Sequence, residues 1–127
     1  MSAPNIVNVS TITGKSAVLA AVGTSATNLV ANSASSNKVF KINTIIVSND
    51  HDSPVTLTVD LYRSSTAYKL IDTVSIAQNS SFTPIDKSIP IYLEEGDTLR
   101  VTAGTASKLD VICSYEEISY CLLMVAN

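Results

Sequence analysis

The amino-acid sequence predicts an all-β protein, a single-domain antiparallel β-sandwich of the jelly-roll or Greek-key type. Apolar and polar residues alternate with a period of two in several short segments, as they do in strands that bury one face. Polar clusters of turn-forming residues interrupt these segments about every ten residues, which is the spacing of strands in a sandwich. The length of 127 residues suits one hydrophobic core.

The clearest strand covers residues 55–62, where apolar residues occupy the odd positions and polar residues the even ones. Residues 89–93, 99–103 and 111–115 repeat this alternation more briefly. Each of these segments is predicted to face the same core. The polar clusters that separate the strands lie at residues 23–28, 33–37, 49–54, 64–67, 78–81, 94–97 and 104–108.

Three elements of the first half need separate interpretation. Residues 38–48 are rich in β-branched side chains, but their apolar residues change from even to odd positions midway, so a β-bulge is predicted near Asn43–Thr44. The stretch Thr13–Gly14–Lys15 is predicted to be a hairpin connection in which Gly14 takes a positive φ. Residues 29–32 would add a short strand.

The last third permits a second interpretation. Leu109, Ile112 and Cys113 also lie at helical spacing, so a helix over residues 108–123 is an alternative to a strand. The sandwich domain is predicted to cover residues 1–119. Residues 120–127 form an apolar tail that either adds a strand to its own sheet or docks on a neighbouring subunit.

Composition narrows the function classes. Hydrophobic residues make up 46% of the chain and charged residues only 15%, against roughly 25% charged residues in typical soluble domains. Small polar residues replace the charges and cost little to desolvate, so the surface suits contact with other proteins. A net charge of −3 with scattered lysines argues against nucleic-acid binding. The apolar runs are too short for a membrane span, and no signal peptide is predicted.

Candidate catalytic and metal-binding residues are few. His51 is the single histidine, and it is expected to lie in an exposed polar turn because the serine motif of a hydrolase is missing. Asp50 and Asp52 beside it lack the spacing of a calcium loop. Cys113 and Cys121 are too few for a disulfide framework and lack the partners of a zinc site, so both are expected to be reduced.

Three acids flank Gly96 in the stretch 94–97. Paired carboxylates can act on sugars, but adjacent residues on a tight turn rarely converge on one substrate. Gly96 is therefore predicted to reverse the chain between two strands, with Glu94, Glu95 and Asp97 solvating the tip of the turn. No catalytic, cofactor-binding or metal-binding residue is predicted, and the chain is expected to be neither an enzyme nor a binder of small-molecule substrates.

Interface residues are predicted instead. Some are the amphipathic residues around the 64–67 turn, of the kind that protein interfaces favour, and the others lie in the apolar tail. The residues of this predicted interface are Tyr62, Arg63, Tyr68, Tyr120, Leu122, Leu123 and Val125. Five tyrosines and no tryptophan give only a slight basis for the alternative of a glycan-binding site.

Five segments resemble small virion structural proteins of tailed phages, most of all those of marine cyanophages. They are residues 4–15 (PNIVNVSTITGK), 37–49 (NKVFKINTIIVSN), 59–65 (VDLYRSS), 91–103 (IYLEEGDTLRVTA) and 109–118 (LDVICSYEEI). The resemblance implies a jelly-roll-like or Greek-key sandwich, assembly as symmetric oligomers, and neither cofactor nor catalysis. Residues 120–127 depart from the family, whose members commonly end near the position of Ser119.

The expected function is that of a capsid decoration, or cement, protein that stabilises the phage head through subunit–subunit packing. A neck, tail, baseplate or fibre component is one alternative, and a host-surface glycan-binding module is another. The expected partners are further copies of the chain, with a trimer favoured, and the major capsid protein, but neither nucleic acid nor membrane. The protein would be made and folded in the host cytoplasm and located in the virion.

Overall fold

The computed structural model describes residues 9–86 and 88–120. Nine strands lie within them. They are β1 (Val9–Leu19), β2 (Thr27–Ala31), β3 (Lys38–Asn49), β4 (Val55–Arg63), β5 (Thr66–Ile76), β6 (Ser80–Ile85), β7 (Ile91–Leu93), β8 (Thr98–Ala103) and β9 (Leu109–Tyr120). The prediction of an all-β fold is therefore confirmed.

The strands form two antiparallel sheets that pack face to face. Sheet A has the order β1-β9-β3-β6, with β7 also paired to β3, and sheet B has the order β2-β8-β4-β5. Every connection crosses between the sheets except the β4–β5 hairpin and the β6–β7 link, which interrupts one strand position opposite β3. This is the strand order of a jelly roll, so the predicted sandwich class is confirmed.

The core lies between the sheets and follows from the alternation in the sequence. In β8, for example, Leu99 and Val101 are fully buried while Arg100 and Thr102 between them are half-buried on the other face. The same pattern holds in β4 and in the first half of β9. Burial of each such aliphatic side chain contributes roughly 1.5–3 kcal/mol, which makes this alternation the main source of stability.

The predicted bulge in β3 is confirmed. The pairing of β3 with β9 shifts between Ile42 and Thr44, so Asn43 is the additional residue. The shift lets Ile42 and Ile45, three positions apart, both enter the core with no exposed surface. An unbulged strand would point one of them away from the core.

Two other interpretations are wrong. Gly14 lies inside β1, directly opposite Glu116 of β9, so Thr13–Gly14–Lys15 is no hairpin connection. The positive φ expected at Gly14 is also not found. The alternative of a helix in the last third is wrong over residues 109–120, because a twelve-residue strand between β1 and β3 satisfies its backbone on both sides. Residues 121–123 of that alternative lie outside the described residues.

The connections gather at two ends of the sandwich. The loop end holds residues 20–26, 50–54, 77–79 and 104–108. At this end the backbone N–H of Ala103 donates to Gly23 and that of Gly104 to Thr56, each at 2.9 Å. A Cβ on Gly104 would collide with the Thr56 hydroxyl, which explains the glycine there. The turn end holds residues 32–37, 64–65 and 94–97.

Candidate assembly surfaces

The turn end is built around the carboxylate of Asp97, which was expected from the sequence to lie on the surface. Gly96 takes a φ of 89°, so the chain reversal predicted there is confirmed. Asp97 is only 1% exposed. Its side chain accepts hydrogen bonds from Arg63 Nε at 2.7 Å and Nη2 at 2.5 Å, and from the backbone N–H of Glu94 at 2.8 Å. The carboxylate raises the pKa of the Arg63 guanidinium mainly through these bonds.

The expectation that all three acids solvate this turn is wrong for two of them. Glu95 is 4% exposed, and its carboxylate accepts a 2.5 Å hydrogen bond from the backbone N–H of Asn37. Asn32 is also buried, and its amide donates to the carbonyls of Lys38 at 2.9 Å and Leu93 at 3.0 Å. Only Glu94 stays exposed. Arg63, Glu94, Glu95 and Asp97 line a depression of about 290 Å³ at the turn end, where their charged groups are already bound to one another or to backbone groups.

The outer face of sheet B is closed by its own polar contacts. Asp60, only 3% exposed, accepts a 2.8 Å hydrogen bond from Arg100 Nε. The guanidinium of Arg100 also lies 4.0 Å from the ring centroid of Tyr62, a cation–π contact. The charged groups and the aromatic ring on this face therefore bind one another within the subunit.

The predicted interface residues divide into three groups. Tyr62 and Arg63 take part in the internal contacts just described, which leaves them half-buried. Tyr68 lies on the edge strand β5 and is 55% exposed. Tyr120 ends β9 opposite Val9. Its side chain lies outside the described residues, as do Leu122, Leu123 and Val125.

The outer face of sheet A carries apolar side chains in two rows across β1, β9 and β3. The central row contains Val18, Ile112 and Ile46, which are directly opposite one another in the register and are 73%, 47% and 40% exposed.

The terminal row contains Ile12, Ile118 and Val39, which are likewise opposite one another. Ile12 is 58% exposed, whereas Ile118 and Val39 are buried and lie outside the main core cluster. Both rows therefore reach the free edge of β1 with an exposed apolar residue, Val18 in one and Ile12 in the other.

The sequence contains a signal for the central row that strand alternation by itself does not reveal. Residues 45–47 and 111–113 are runs of three consecutive apolar residues, so the middle residue of each must point away from the core. Alternation alone identifies the residues that point into the core. Outward positions of an antiparallel sheet are usually polar, so an apolar residue there indicates a surface that is not simply solvated.

A cluster of three charged side chains on sheet A lies towards the turn end. Glu117 accepts hydrogen bonds from Lys38 Nζ at 2.8 Å and Lys15 Nζ at 3.0 Å. Partial burial opposes ionisation of Glu117, but these two bonds outweigh it and hold the pKa of the carboxyl below its ordinary value. The same contact raises the pKa of Lys15.

His51 lies in the predicted loop but is half-buried rather than exposed. The buried amide of Asn49 fixes this loop by donating to the carbonyls of Ser53 and Ile76, both at 3.0 Å, while its oxygen accepts from the His51 backbone N–H at 3.0 Å. His51 Nδ1 lies 3.3 Å from Asp52. These contacts give His51 a place in loop packing.

Cys113 points into the core from β9 with no exposed surface, and its thiol is free. Burial raises the pKa of this thiol to about 12, so little of the nucleophilic thiolate forms near neutral pH. Within residues 9–86 and 88–120, the histidine, cysteine and acidic side chains form no group of three or more that could hold a metal ion. Those residues also contain no helix of the length and apolarity needed to cross a membrane.

No family model and no curated protein matches this chain. Among solved structures it is similar to a protein of Bacillus endospore appendages, described as a novel family of disulfide-linked pili. The TM-score is 0.52 at 17% sequence identity, with 95% of this chain and 98% of the other covered. At this identity the likeness supports the sandwich fold alone, and the resemblance to phage virion proteins stays a prediction.

Proposed function

We propose that this protein is a non-enzymatic structural subunit that assembles by packing the outer face of sheet A against other proteins. The observation that carries the proposal is the central row, in which Val18, Ile112 and Ile46 stand exposed side by side. Covering the exposed part of each would contribute on the order of 1 kcal/mol. A single contact of this kind is weak, so the function depends on many copies acting together.

The arrangement of polar groups supports the same proposal. Asp97, Glu95 and Asp60 are buried in bonds to Arg63, Asn37 and Arg100, which leaves them poorly placed to act on a substrate. An enzyme needs titratable groups that converge on an accessible pocket. The buried acids that line the turn-end depression are bound to Arg63 and to backbone N–H groups, and Asp60 lies apart from them on the outer face of sheet B.

The assembly that we propose is the particle of a tailed phage, with the protein as a decoration protein on the head. Each copy would lie over a junction between major capsid subunits and contribute buried area against internal pressure. Self-association into a homo-oligomer, with a trimer favoured, would multiply the weak contacts of one copy.

A component of the neck, tail, baseplate or fibre is the second candidate. A protein of similar fold belongs to the pili of Bacillus endospore appendages, so the fold itself is compatible with a place in an appendage. Such pili are described as disulfide-linked. Cys113 is unsuited to linkage of that kind because its thiol is buried in the core.

Quantitative mass spectrometry of purified particles separates the candidates. A decoration protein is expected in fixed proportion to the major capsid protein, whereas a neck or tail component is expected in far fewer copies. Purified protein added to particles that lack it should restore head stability to heat in the first case only. Complete absence of the protein from purified particles would contradict both assignments.

Removal of residues 120–127 tests the predicted docking tail. The truncated protein is expected to show weaker self-association or lower occupancy on particles, since an apolar segment that docks on a neighbour would be lost. Light scattering measures the first quantity and densitometry of particle-bound protein the second. If neither changes, the tail has no role in docking.

The glycan alternative has little support in the geometry. Tyr68 and Tyr92, the tyrosines with large exposed surface among the described side chains, lie on different sheets and make no common platform. A polar depression of about 430 Å³ at the loop end is lined by residues 48–50 and 79–81, which include no aromatic side chain. A glycan array without binding would remove this candidate.

A further inference from the structure

The edges of the two sheets differ in how well they are protected against pairing. β2 has five residues and an irregular register, and β7 has three residues. β6 contains Pro84, and β5 pairs with β4 through two register shifts and carries Thr73 at a φ of 54°. Short length, proline and bulges are the usual means by which an edge strand avoids binding another strand.

β1 has none of these protections over most of its length. Its pairing with β9 runs without a shift from Thr11 to Leu19, and no proline interrupts it. Among the described residues, no strand pairs with its other side. Residues 11–16 and Val18 are exposed. Its one charge, on Lys15, is paired with Glu117 at 3.0 Å.

The side chains of this edge are complementary to themselves. When two identical strands pair about a two-fold axis, directly opposite residues have numbers with a constant sum, and the pleat requires that sum to be even. An axis at Lys15 gives the sum 30, because 12 + 18 = 30. Ile12 of each copy then lies opposite Val18 of the other copy.

We propose that two copies of this chain associate through antiparallel pairing of their β1 strands about a two-fold axis at Lys15. Residues 11–19 of one copy pair with residues 19–11 of the other, and the two A sheets become one continuous sheet. The terminal row of one copy then joins the central row of the other through Ile12 and Val18. Backbone hydrogen bonds and the contacts of Ile12 with Val18 of the other copy hold the dimer together.

The remaining pairs in this register are small and uncharged. Thr13 lies opposite Ala17, and Gly14 lies opposite Ser16, so no bulky side chains collide. The two Lys15 residues meet at the axis, which is unfavourable for like charges. Each is already bound to Glu117 of its own copy. The remaining repulsion between the two lysines is screened by salt, so the dimer is not expected to weaken as the salt concentration rises.

This inference names a partner surface for the proposed structural subunit and rests on that function only for its biological setting. A two-fold contact closes a dimer, whereas the resemblance favours a trimer. The dimer can be measured on the purified full chain without particles, so its failure is separable from failure of the proposed function.

Cross-linking tests the register. Lys15→Cys, in a chain that also carries Cys121→Ser, would place the two introduced thiols directly opposite, with Cβ atoms about 5 Å apart. Thr13→Cys in the same background is the matched control, because its two thiols would lie four positions apart along the ladder, or about 13 Å. The first variant should form a disulfide-linked dimer readily under mild oxidation and the second should not. Equal yields would overturn the proposed register.

Charge exchange tests the apolar contact. Ile12→Lys alone and Val18→Glu alone should each weaken dimerisation about tenfold in sedimentation equilibrium. The double variant should recover most of that loss, because each introduced lysine would lie opposite an introduced glutamate. Both wild-type side chains are mainly exposed, so the variants should fold, which circular dichroism can verify. Absence of recovery would contradict the pairing.

Ile46→Lys is the control on the same face, two strands away from the edge, and should leave the dimer intact. A wild-type chain that stays monomeric or forms a trimer at high concentration would overturn the second copy as occupant of the edge. Particle binding without dimers would remove this inference and leave the proposed function. Dimers without particle binding would do the reverse.

Discussion

The outer faces of the two sheets differ in the side chains that they expose and in how those side chains are bound. On sheet B, Asp60 and Arg100 bind each other and Tyr62 lies beside the guanidinium, so the face is closed within one subunit. On sheet A, Val18, Ile112 and Ile46 stand exposed in one row. Both faces belong to sheets of the same folded domain, so the needs of folding alone do not explain why only one of them exposes an apolar row. The difference fits the proposal that the outer face of sheet A is the contact surface, whereas the outer face of sheet B is bonded within the subunit.

The largest effect on stability is expected from breaking the closed face. Asp60→Ala leaves Arg100 without its carboxylate partner at a mostly buried site, and it should lower the free energy of unfolding by about 2 kcal/mol. Asp72→Ala is the matched control, because its pair with Lys69 is exposed on both sides and should leave the melting temperature unchanged. Chemical denaturation measures both, and equal effects would remove the special role of the sheet B face.

The next effect concerns contact rather than stability. Ile112→Lys places a charge in the central row and should reduce binding to particles about tenfold, because a charged group would have to be desolvated on docking. Thr102→Lys makes the corresponding change on the outer face of β8 in sheet B and should leave binding intact. Co-sedimentation with particles compares them. The opposite order would assign the docking face to sheet B.

A smaller effect is expected at the charges of sheet A. Glu117→Gln removes the hydrogen-bonded carboxylate between Lys15 and Lys38 and should cost about 0.5–1 kcal/mol near neutral pH. The folded state lowers the pKa of Glu117 below its ordinary value of 4.5. Its contribution is therefore complete above that value and is lost as the pH falls through the folded-state pKa. The two proteins should converge in acid, and a constant difference at all pH values would contradict this assignment.

The smallest effect is a gain. Gly14→Thr introduces a strand-favouring side chain into β1 at a position where an added Cβ meets nothing within 4 Å. It should raise the free energy of unfolding by about 0.5–1 kcal/mol. Gly104→Ala is the opposing control, since its Cβ would collide with Thr56. Thermal melts of dilute protein compare the two, and loss of stability in Gly14→Thr would show that β1 needs its glycine.

The sequence predicted what depends on local pattern. Alternation identified the buried residues of β4 and β8, and the change of phase in β3 located the bulge at Asn43 because a core-facing strand tolerates no slip. The prediction of a turn at Gly14 was wrong because a glycine can also lie within a strand when a neighbouring strand pairs with it on both sides of that position. β9 supplies that pairing, and nothing near Gly14 in the sequence reveals it.

The turn end could not be predicted for a related reason. The burial of Asp97 depends on Arg63, which is 34 positions away, and that of Glu95 depends on Asn37, which is 58 positions away. The local composition predicts that these acids lie in a solvated turn. Their partners reach the same end of the sandwich only through the jelly-roll strand order. The exposed central row of sheet A could have been predicted, because consecutive apolar residues in a strand must occupy both faces.

The pairing of Val9 with Tyr120 has a mechanical consequence. The chain enters and leaves the sandwich side by side, at the turn end, on two neighbouring strands. Tension applied through both positions would load the β1–β9 ladder in the unzipping direction, so that its hydrogen bonds break one after another instead of sharing the force. A strand bound along the outer edge of β1 would add a second ladder to be opened before the sheet could peel apart.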